Sequence, residues 1–319
     1  MSMLADEVQR AARVGAGRLG SAFAIAISGA HSEAAEQRAP VDLNLEGWEL
    51  ASLTKPIVGT LAAALHLSGA IPLGTAVGDL VPDLRGEVRR ATIGQLASHT
   101  SGLPRFGWSR DVPSPRKQPY ERYVGADLEH VLESVALKRA GEFTYSNLGY
   151  LLLSHAFETA MDAPIFQLLD DHVGKHLGWE PCGWSDSATG VRWRRRRQRW
   201  IQPLAGPGGL QLSSADLRRW LIANVSPSST GLREPIELAQ AIYRAGRPAT
   251  GLGWIHASAT GVVQRGRTPT AAGCIAVDAA RSRGVLVISN VGDRARTVPR
   301  LAQHLANHLP DPGEGSGAP

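Results

Sequence analysis

Residues 52–67 read SLTKPIVGTLAAALHL, and this stretch places a candidate nucleophile at the start of an apolar helix. Apolar residues recur in it at helical spacing, and Pro56 falls in the first turns, where its missing N–H is tolerated best. Residues three apart on a helix share one face, so Lys55 can reach the Ser52 hydroxyl and activate it. Taken alone, the tetrapeptide favours a simpler interpretation, a helix cap followed by a solvent lysine.

A second candidate group is Tyr145-Ser146-Asn147, within the string EFTYSNLGYLLL. A tyrosine beside a lysine ammonium loses its proton more easily, and it can then act as base towards serine and as acid towards a leaving group. The Asn147 side chain can orient a substrate carbonyl or amide. Alone, this string also favours a structural interpretation, a turn tyrosine followed by a helix-capping asparagine.

Composition excludes several classes of protein. The chain has 319 residues, of which 43% are hydrophobic and 20% charged, so it is not intrinsically disordered. Its two cysteines, Cys182 and Cys274, cannot build a disulfide scaffold, and no motif predicts a metal or a cofactor. No apolar stretch approaches the roughly 20 residues that span a membrane, and no export signal is evident. We therefore expect a cytoplasmic protein with no membrane partner.

The net charge of +5 comes from one segment, RWRRRRQRW at 192–200. Six arginines lie in it: Arg192, Arg194, Arg195, Arg196, Arg197 and Arg199. Without them the remainder carries about −1 (5 − 6), which argues against a general nucleic-acid binder. The tryptophan-flanked segment could bind a phosphate or carboxylate through its arginines, but a solvated loop is the favoured interpretation.

Hydrophobic patterning predicts helices at both ends of the chain and through its middle, and strands that are mostly late. The predicted helices are 7–18, 52–67, 127–138, 146–160, 163–173, 214–224 and 297–308. The predicted strands are 21–28, 252–256, 261–265, 274–278 and 285–289. These elements indicate an α/β (α+β) fold with a central antiparallel sheet flanked by helices. We expect residues 1–82 and 205–310 to form the sheet domain, 83–204 a helical insertion, and 311–319 a disordered tail.

Several motifs occur together in one order along the chain. SLTK is followed by QLASHTSGLP at 95–104, YSNLGY at 145–150, PGGLQLSSADL at 207–217, and VLVISN at 285–290. Over residues 20–308 the chain resembles the serine β-lactamase and penicillin-binding protein superfamily. It is most similar to the branch with class C β-lactamases, D-Ala-D-Ala peptidases and family VIII esterases. The resemblance implies a β-lactamase/transpeptidase-like fold with its site in the cleft between sheet and insertion.

The resemblance also implies roles for particular residues. Ser52 corresponds to the acylated nucleophile, Lys55 and Tyr145 to the proton-transfer pair, and Asn147 to a residue that orients substrate. Family members place one oxyanion N–H on the nucleophile and another on a late edge strand, in keeping with the two donors that a tetrahedral oxyanion requires. In SHTSGL, His99 corresponds to a hydrogen-bonded scaffold histidine rather than a catalytic one.

The edge-strand motif departs from the family pattern. Where relatives carry Lys-Thr-Gly or His-x-Gly, this chain has Gln264-Arg265-Gly266. Arg267 then supplies the second oxyanion N–H, and neutral Gln264 replaces the usual cation, whose charge Arg265 or Arg267 could restore. We also expect Trp108 to line the substrate cleft or to pack in the core.

These patterns predict a serine acyl-enzyme hydrolase or acyltransferase that acts on an ester or amide of a small metabolite. The partners are then a small-molecule acyl donor and, for transfer, an amine or alcohol acceptor. Two alternatives stay open: a β-lactamase or D-amino-peptidase-type amidase, and a catalytically inactive β-lactamase-fold binding or sensor protein. Because Gln264 is neutral, we expect weak hydrolysis of penicillins and cephalosporins.

Overall fold

A six-stranded antiparallel sheet forms the centre of the computed structural model, which describes residues 3–17, 20–38, 47–106, 126–180, 183–184 and 205–310. The strands follow the spatial order β2-β1-β9-β8-β7-β6. Their bounds are β1 Ala22–Ser28, β2 His31–Gln37, β6 Ile255–His256, β7 Gly261–Arg267, β8 Ala272–Asp278 and β9 Arg283–Ser289. A smaller sheet has the order β3-β5-β4, with bounds β3 Trp48–Glu49, β4 Gly183–Trp184 and β5 Leu210–Leu212.

The first and last strands of the chain meet in the middle of the large sheet. In β1, Ala22 pairs with Ser289 of β9, and the antiparallel register continues to Ser28 and Arg283. This pairing confirms the predicted antiparallel sheet built from both ends of the chain. Trp108, the 192–199 arginines and the 311–319 tail lie outside the described residues.

The sheet buries both faces because its strands alternate large and small apolar residues. In β1, Phe23, Ile25 and Ile27 point into the main core, beneath the long central helices. Ala24 and Ala26 point the other way, into a second core formed with the first and last helices. Small residues on that face let the two helices approach the sheet closely.

Helices cover both faces of this sheet and make up most of the middle of the chain. The longer ones are α1 Met3–Ala16, α2 Thr54–Leu67, α5 Ala126–Glu133, α6 Asn147–Met161, α10 Ser214–Val225, α11 Arg233–Gln240 and α12 Thr297–Asn307. Short α-helices are α3 Val77–Leu80, α4 Ile93–Ala97, α7 Ile165–Leu169, α8 Lys175–Leu177 and α9 Ala205–Gly208. The 3₁₀ turns are Ala51–Leu53, Glu87–Arg90, Pro227–Ser229, Ala279–Arg281 and Gly292–Arg296, and a π-helical turn spans Asp170–Gly174.

Most predicted elements occur, with shifted ends. The helix predicted at 127–138 ends at Glu133, and the one predicted at 163–173 is interrupted after Leu169 by the π-helical turn. The strand predicted from Leu252 begins only at Ile255, because Gly253 adopts φ +79° and donates its N–H to the Ala97 carbonyl.

Besides several short elements, one full-length strand and one of the longer helices have no counterpart in the sequence-based prediction. Strand β2 reads HSEAAEQ and lies at the sheet edge, so it lacks the apolar alternation that marks a strand. In helix α11, Pro235 discourages a helix assignment, yet it is the third residue, where no intrahelical N–H is needed.

The helical middle and the sheet domain share one continuous apolar core. Leu61 of α2, Leu96 of α4, Leu152 of α6 and Ile288 of β9 all belong to it. The domain boundaries at 82 and 205 stay a prediction. None of the helices in the described ranges is long and apolar enough to cross a membrane.

Candidate active site

Ser52 lies in a sharp turn held by the small sheet. The Leu50 N–H donates to the Leu210 carbonyl at 3.0 Å, and Ala51 then adopts a left-handed conformation with φ +49°. That region is strained for a residue with a Cβ and costs on the order of 1–3 kcal/mol. The 3₁₀ turn Ala51–Leu53 leads directly into α2, so the turn presents Ser52 at the start of a buried helix.

Lys55 is completely buried one turn along, and its ammonium nitrogen reaches two acceptors. Its Nζ lies 3.0 Å from the Ser52 Oγ and 2.6 Å from the Pro207 carbonyl oxygen. Burial, with a smaller contribution from the positive charge of Arg105, holds the pKa of Lys55 well below its usual value. A lysine in this state loses its proton far more readily than a solvated one and can accept the serine proton.

Tyr145 completes a group of three side chains around the Ser52 hydroxyl. Its hydroxyl is hydrogen-bonded to Ser52, and the Lys55 Nζ lies 5.1 Å from the centre of its ring. Burial raises the pKa of Tyr145 to about 12, although the Ser52 hydrogen bond and the nearby Arg105 charge act in the opposite direction. The expectation of an easily ionised tyrosine is therefore wrong, because desolvation outweighs the favourable partners, and the phenol is protonated at neutral pH.

Asn147 is brought to the same cavity as the first residue of α6. The preceding Ser146 caps this helix: its Oγ accepts the Gly149 N–H at 2.8 Å and donates to the Pro104 carbonyl at 2.7 Å. The Asn147 N–H donates to the Arg105 carbonyl at 3.1 Å. The loop that ends at Arg105 thus fixes the segment carrying Tyr145 and Asn147.

His99 supports this segment from below, as the sequence predicted. Its Nδ1 accepts the Ser146 N–H at 3.1 Å, and its ring centre lies 4.3 Å from that of Tyr145. Burial, together with the charges of Lys55 and Arg105, lowers the pKa of His99 well below its usual value. The imidazole is therefore neutral, with its proton on Nε2.

The predicted edge-strand residues line the cavity beside Ser52 along β7. Gln264 is 2% exposed, and hydrogen bonds within the strand region hold both ends of its amide. Its Nε2 donates to the Gly253 carbonyl at 3.0 Å, and its Oε1 accepts the Arg265 N–H at 2.9 Å. Gln264 is thus a neutral side chain at the position where relatives carry a cation. Backbone groups already hydrogen-bond to both ends of its amide.

Gly266 crosses directly over the serine turn. A Cβ built on it would lie 2.8 Å from the Leu50 carbonyl oxygen and 3.0 Å from the Ser52 nitrogen. The Arg265 N–H points away from β8, towards the open edge of β7, so alternation along the strand directs the Arg267 N–H to the same edge. A residue with a Cβ would collide with the serine turn here, and the N–H groups of Ser52 and Arg267 stay the predicted pair of oxyanion donors.

The cavity around these residues has a volume of about 1050 Å³. It is also lined by Arg105 and Pro207, to which the sequence-based prediction assigned no role. Arg105 directly follows the SHTSGLP string, and its guanidinium lies 5.2 Å from the centre of the Tyr145 ring. The predicted site residue Trp108 lies outside the described residues. Within those residues, no cluster of three or more His, Cys, Asp or Glu side chains could hold a metal ion.

Comparison with known families supports the same assignment. A family model described as Beta-lactamase matches residues 8–309. The chain belongs to the Beta-lactamase family. This membership confirms the resemblance inferred from the order of the motifs.

Curated members of the family show how distant the relationship is. Protein flp of Staphylococcus aureus (strain MW2) is 24% identical over 294 residues, which cover 82% of this chain and 56% of flp. The D-alanyl-D-alanine-carboxypeptidase/endopeptidase AmpH of Escherichia coli (strain K12) is 27% identical over 191 residues, covering 54% of this chain and 47% of AmpH. The chain thus spans about half the length of these curated relatives.

Solved structures in the family confirm the fold. A class C β-lactamase superposes with a TM-score of 0.76 at 16% identity, covering 96% of each chain. A β-lactamase/D-alanine carboxypeptidase from Pseudomonas syringae superposes with a TM-score of 0.75 at 18% identity, covering 97% of this chain and all of the other. The chain therefore has a β-lactamase-type fold, with a central antiparallel sheet flanked by helices.

Proposed function

We propose that this protein is a serine hydrolase or acyltransferase that forms an acyl-enzyme on Ser52 from an ester or amide of a small metabolite. The observation that carries the proposal is the contact of one hydroxyl with two proton-transfer groups. The Ser52 Oγ lies 3.0 Å from the Lys55 Nζ and is hydrogen-bonded to Tyr145, at a cavity large enough for a small molecule.

Acylation begins when Lys55, in its unprotonated form, accepts the Ser52 proton and the Oγ attacks the acyl carbon. Negative charge then develops on the acyl oxygen, beside the N–H groups of Ser52 and Arg267. Tyr145, which burial keeps protonated, donates its proton to the leaving group as the bond between that group and the acyl carbon breaks. Lys55 passes the serine proton to the tyrosinate, so both groups return to their starting states.

Deacylation repeats these steps with a second nucleophile. Water or the hydroxyl or amino group of an acceptor attacks the ester carbon and gives its proton to Lys55 through Tyr145. The acyl–Oγ bond breaks, and the Ser52 oxygen regains a proton. Water yields a free acid, whereas an alcohol or amine yields a new ester or amide. Transfer requires that the cavity orient the acceptor better than it orients water.

The intact Ser52–Lys55–Tyr145 contacts support an enzyme over an inactive binding or sensor protein. The lowered pKa of Lys55 supports the same choice, since groups with perturbed pKa values cluster at functional sites. A binding protein has no need to bury a lysine beside a serine, because burial of a lysine destabilises the folded state. A cytoplasmic location and the lack of a nucleic-acid partner remain predictions from the sequence.

Intact-protein mass spectrometry tests this proposal directly. The protein is incubated with a panel of small esters, amides and β-lactams, and Ser52→Ala serves as the control. We expect a mass increase equal to the acyl group in the parent and none in the variant. Addition of amines and alcohols to the acyl-enzyme then separates hydrolysis from transfer by the product formed. If no member of the panel acylates Ser52, the proposal is wrong.

The names of the relatives favour a second candidate, a β-lactamase or D-amino-peptidase-type amidase. Gln264 argues against efficient β-lactam hydrolysis, because its buried amide carries no charge for the β-lactam carboxylate. We expect nitrocefin to be hydrolysed much more slowly than short activated esters, with Gln264→Lys narrowing the difference. Nitrocefin hydrolysis at or above the ester rate in the unmodified protein would select the second candidate instead.

A further inference from the structure

The cavity beside Ser52 has a second wall, formed by strand β7 and the start of helix α12, with a different chemical character. Its charged residues are all arginines, here called the arginine wall: Arg265, Arg267, Arg296 and Arg300. All four are exposed. Arg105 lines the cavity as well, whereas no Asp, Glu or Lys of the described ranges does. The lining that the described residues give this cavity is therefore strongly positive.

The described part of the chain does not neutralise these charges. Other arginines of the chain pair with carboxylates, such as Arg219 with Asp216 and Arg281 with Asp278, both at 2.6 Å. Within the part of the chain that the structure describes, no member of the arginine wall forms an ion pair. Unpaired guanidinium groups that share one cavity raise the local potential and attract anions from solution.

Backbone geometry places the four side chains in two pairs along this cavity. Arg265 and Arg267 are two apart on β7, so they leave the same face of the strand about 7 Å apart. Arg296 and Arg300 are four apart at the start of α12, which places them on neighbouring turns of one helix face. Arg265 is also hydrogen-bonded to Cys274 on the adjacent strand, on the sheet face that α12 covers.

The start of α12 adds positive potential of its own. Helix N-termini carry partial positive charge, and acidic residues are favoured there while basic ones are not. The first turn of α12 contains no acidic residue, Arg296 occupies its N-cap, and no side chain caps it. Arg296 and Arg300 therefore lie where a cation is least favourable, unless an anion is bound beside them.

We propose that the arginine wall binds a group with two or more negative charges, and that the acyl donor or acceptor of Ser52 is a phosphate-bearing small molecule. This inference rests on the proposed function. One bidentate arginine neutralises a single carboxylate, so four arginines exceed what one carboxylate needs. A phosphate ester carries nearly two charges at neutral pH and three acceptor oxygens, enough for several guanidinium groups.

Calorimetric titration of the full chain tests the anion site without turnover. The probes are inorganic pyrophosphate and acetate, at one ionic strength because screening weakens such binding. We expect pyrophosphate to bind at least tenfold more tightly than acetate. Combining Arg296→Gln with Arg300→Gln should weaken pyrophosphate binding at least tenfold. The matched control combines Arg233→Gln with Arg281→Gln, which removes two exposed arginines that do not line the cavity.

Kinetics with two aryl esters of the same acyl group then links the site to catalysis. One ester carries a phosphate on its leaving group and the other is neutral. The Arg296→Gln, Arg300→Gln variant should lose at least tenfold in kcat/KM for the phosphate ester and keep its rate for the neutral one. Equal pyrophosphate and acetate binding, equal losses in the control, or parallel losses with both esters would each overturn the inference.

The two proposals fail in distinguishable ways. If esters acylate Ser52 while pyrophosphate binding ignores Arg296 and Arg300, the proposed function survives and the arginine wall is not an anion site. If pyrophosphate binding depends on these arginines while no ester acylates Ser52, the anion site is supported and the acyl-enzyme chemistry is wrong.

Discussion

The ionisable groups on the two walls of the cavity differ in their burial. Ser52, Lys55 and Tyr145 form a serine wall, in which burial lowers the pKa of the lysine and raises that of the tyrosine to about 12. On the arginine wall the side chains are exposed. The groups that move protons are thus buried, while the guanidinium groups that line the rest of the cavity are open to solvent. We therefore assign the acyl-transfer chemistry to the serine wall and the preference for substrate to the arginine wall.

The largest expected effect is the loss of turnover when the nucleophile is replaced. Ser52→Ala should reduce turnover by about 10⁴-fold or more, because no other group on the serine wall can form the acyl-enzyme. Binding of anions at the arginine wall should be unchanged. Labelling by a fluorophosphonate probe measures the reactive hydroxyl, with Ser229→Ala, an exposed serine, as the control. Equal labelling of parent and Ser52→Ala would remove Ser52 from the mechanism.

The second prediction concerns Gly266, which lies against the serine turn at the boundary between the two walls. Gly266→Ala should lower kcat about 10²- to 10³-fold, because its Cβ would lie 3.0 Å from the Ser52 nitrogen and fill the oxyanion space. Gly261→Ala on the same strand is the matched control, since the Ser258 Oγ is the only atom that its Cβ would meet closer than 3.8 Å. Steady-state kinetics with one activated ester, beside thermal melts of both variants, gives the answer. Similar losses of kcat in the two variants would mean that strand distortion, rather than a blocked oxyanion space, is responsible.

A third measurement sharpens the idea that the serine wall acts as one unit. Lys55→Ala and Tyr145→Phe should each reduce kcat at least about 100-fold, the usual scale for a positioned acid or base. Combined, they should cost much less than the product of the single losses, because both groups serve one proton path. A double-mutant cycle on kcat measures this coupling. Fully multiplicative losses would assign the two residues independent roles.

Part of the serine wall could be predicted from spacing. Ser52 and Lys55 are three residues apart at the start of α2, and Tyr145 and Asn147 belong to one short string, so spacing brings each pair together. That the two pairs meet was predicted only from the order of the family motifs along the chain. Likewise, the strands of the central sheet carry apolar patterns that identify them. Edge strand β2 has no such pattern, and its position depends on pairing with β1.

The rest of the site depends on residues that only the fold brings together. Pro207 contributes a backbone carbonyl to Lys55 from 152 positions away, and no side-chain motif marks a carbonyl. Arg296 and Arg300 line the same cavity as residues of β7, which lies much earlier in the sequence, so sequence order alone does not reveal their effect on the cavity. The predicted direction of the Tyr145 pKa shift was wrong for the same reason. Burial, which tertiary packing sets, outweighs the effect of the nearby charges.

The smallest effect concerns stability, and it tests the burial of Lys55 itself. Since the folded-state pKa of Lys55 lies well below the unfolded value of 10.5, the folded chain binds fewer protons between those two values. The unfavourable burial of the charged lysine is therefore complete below the folded pKa and disappears as pH rises towards 10.5. Lys55→Met removes this dependence, so its stability relative to the parent should be greatest at low pH and should decline as pH rises.

Chemical denaturation from neutral pH to about pH 10 measures the free energy of unfolding of parent and variant. The change of their difference with pH is more informative than its absolute value. The absolute value also contains the lost hydrogen bond to Pro207, which costs roughly 1 kcal/mol. Lys175→Met provides a control whose stability relative to the parent should stay constant over this pH range. Asp171 raises the pKa of that exposed lysine, so its contribution is present at neutral pH and is lost as pH rises above 10.5. If parent and Lys55→Met change in parallel across this range, burial does not lower the pKa of Lys55, and the contrast between the two walls loses its physical basis.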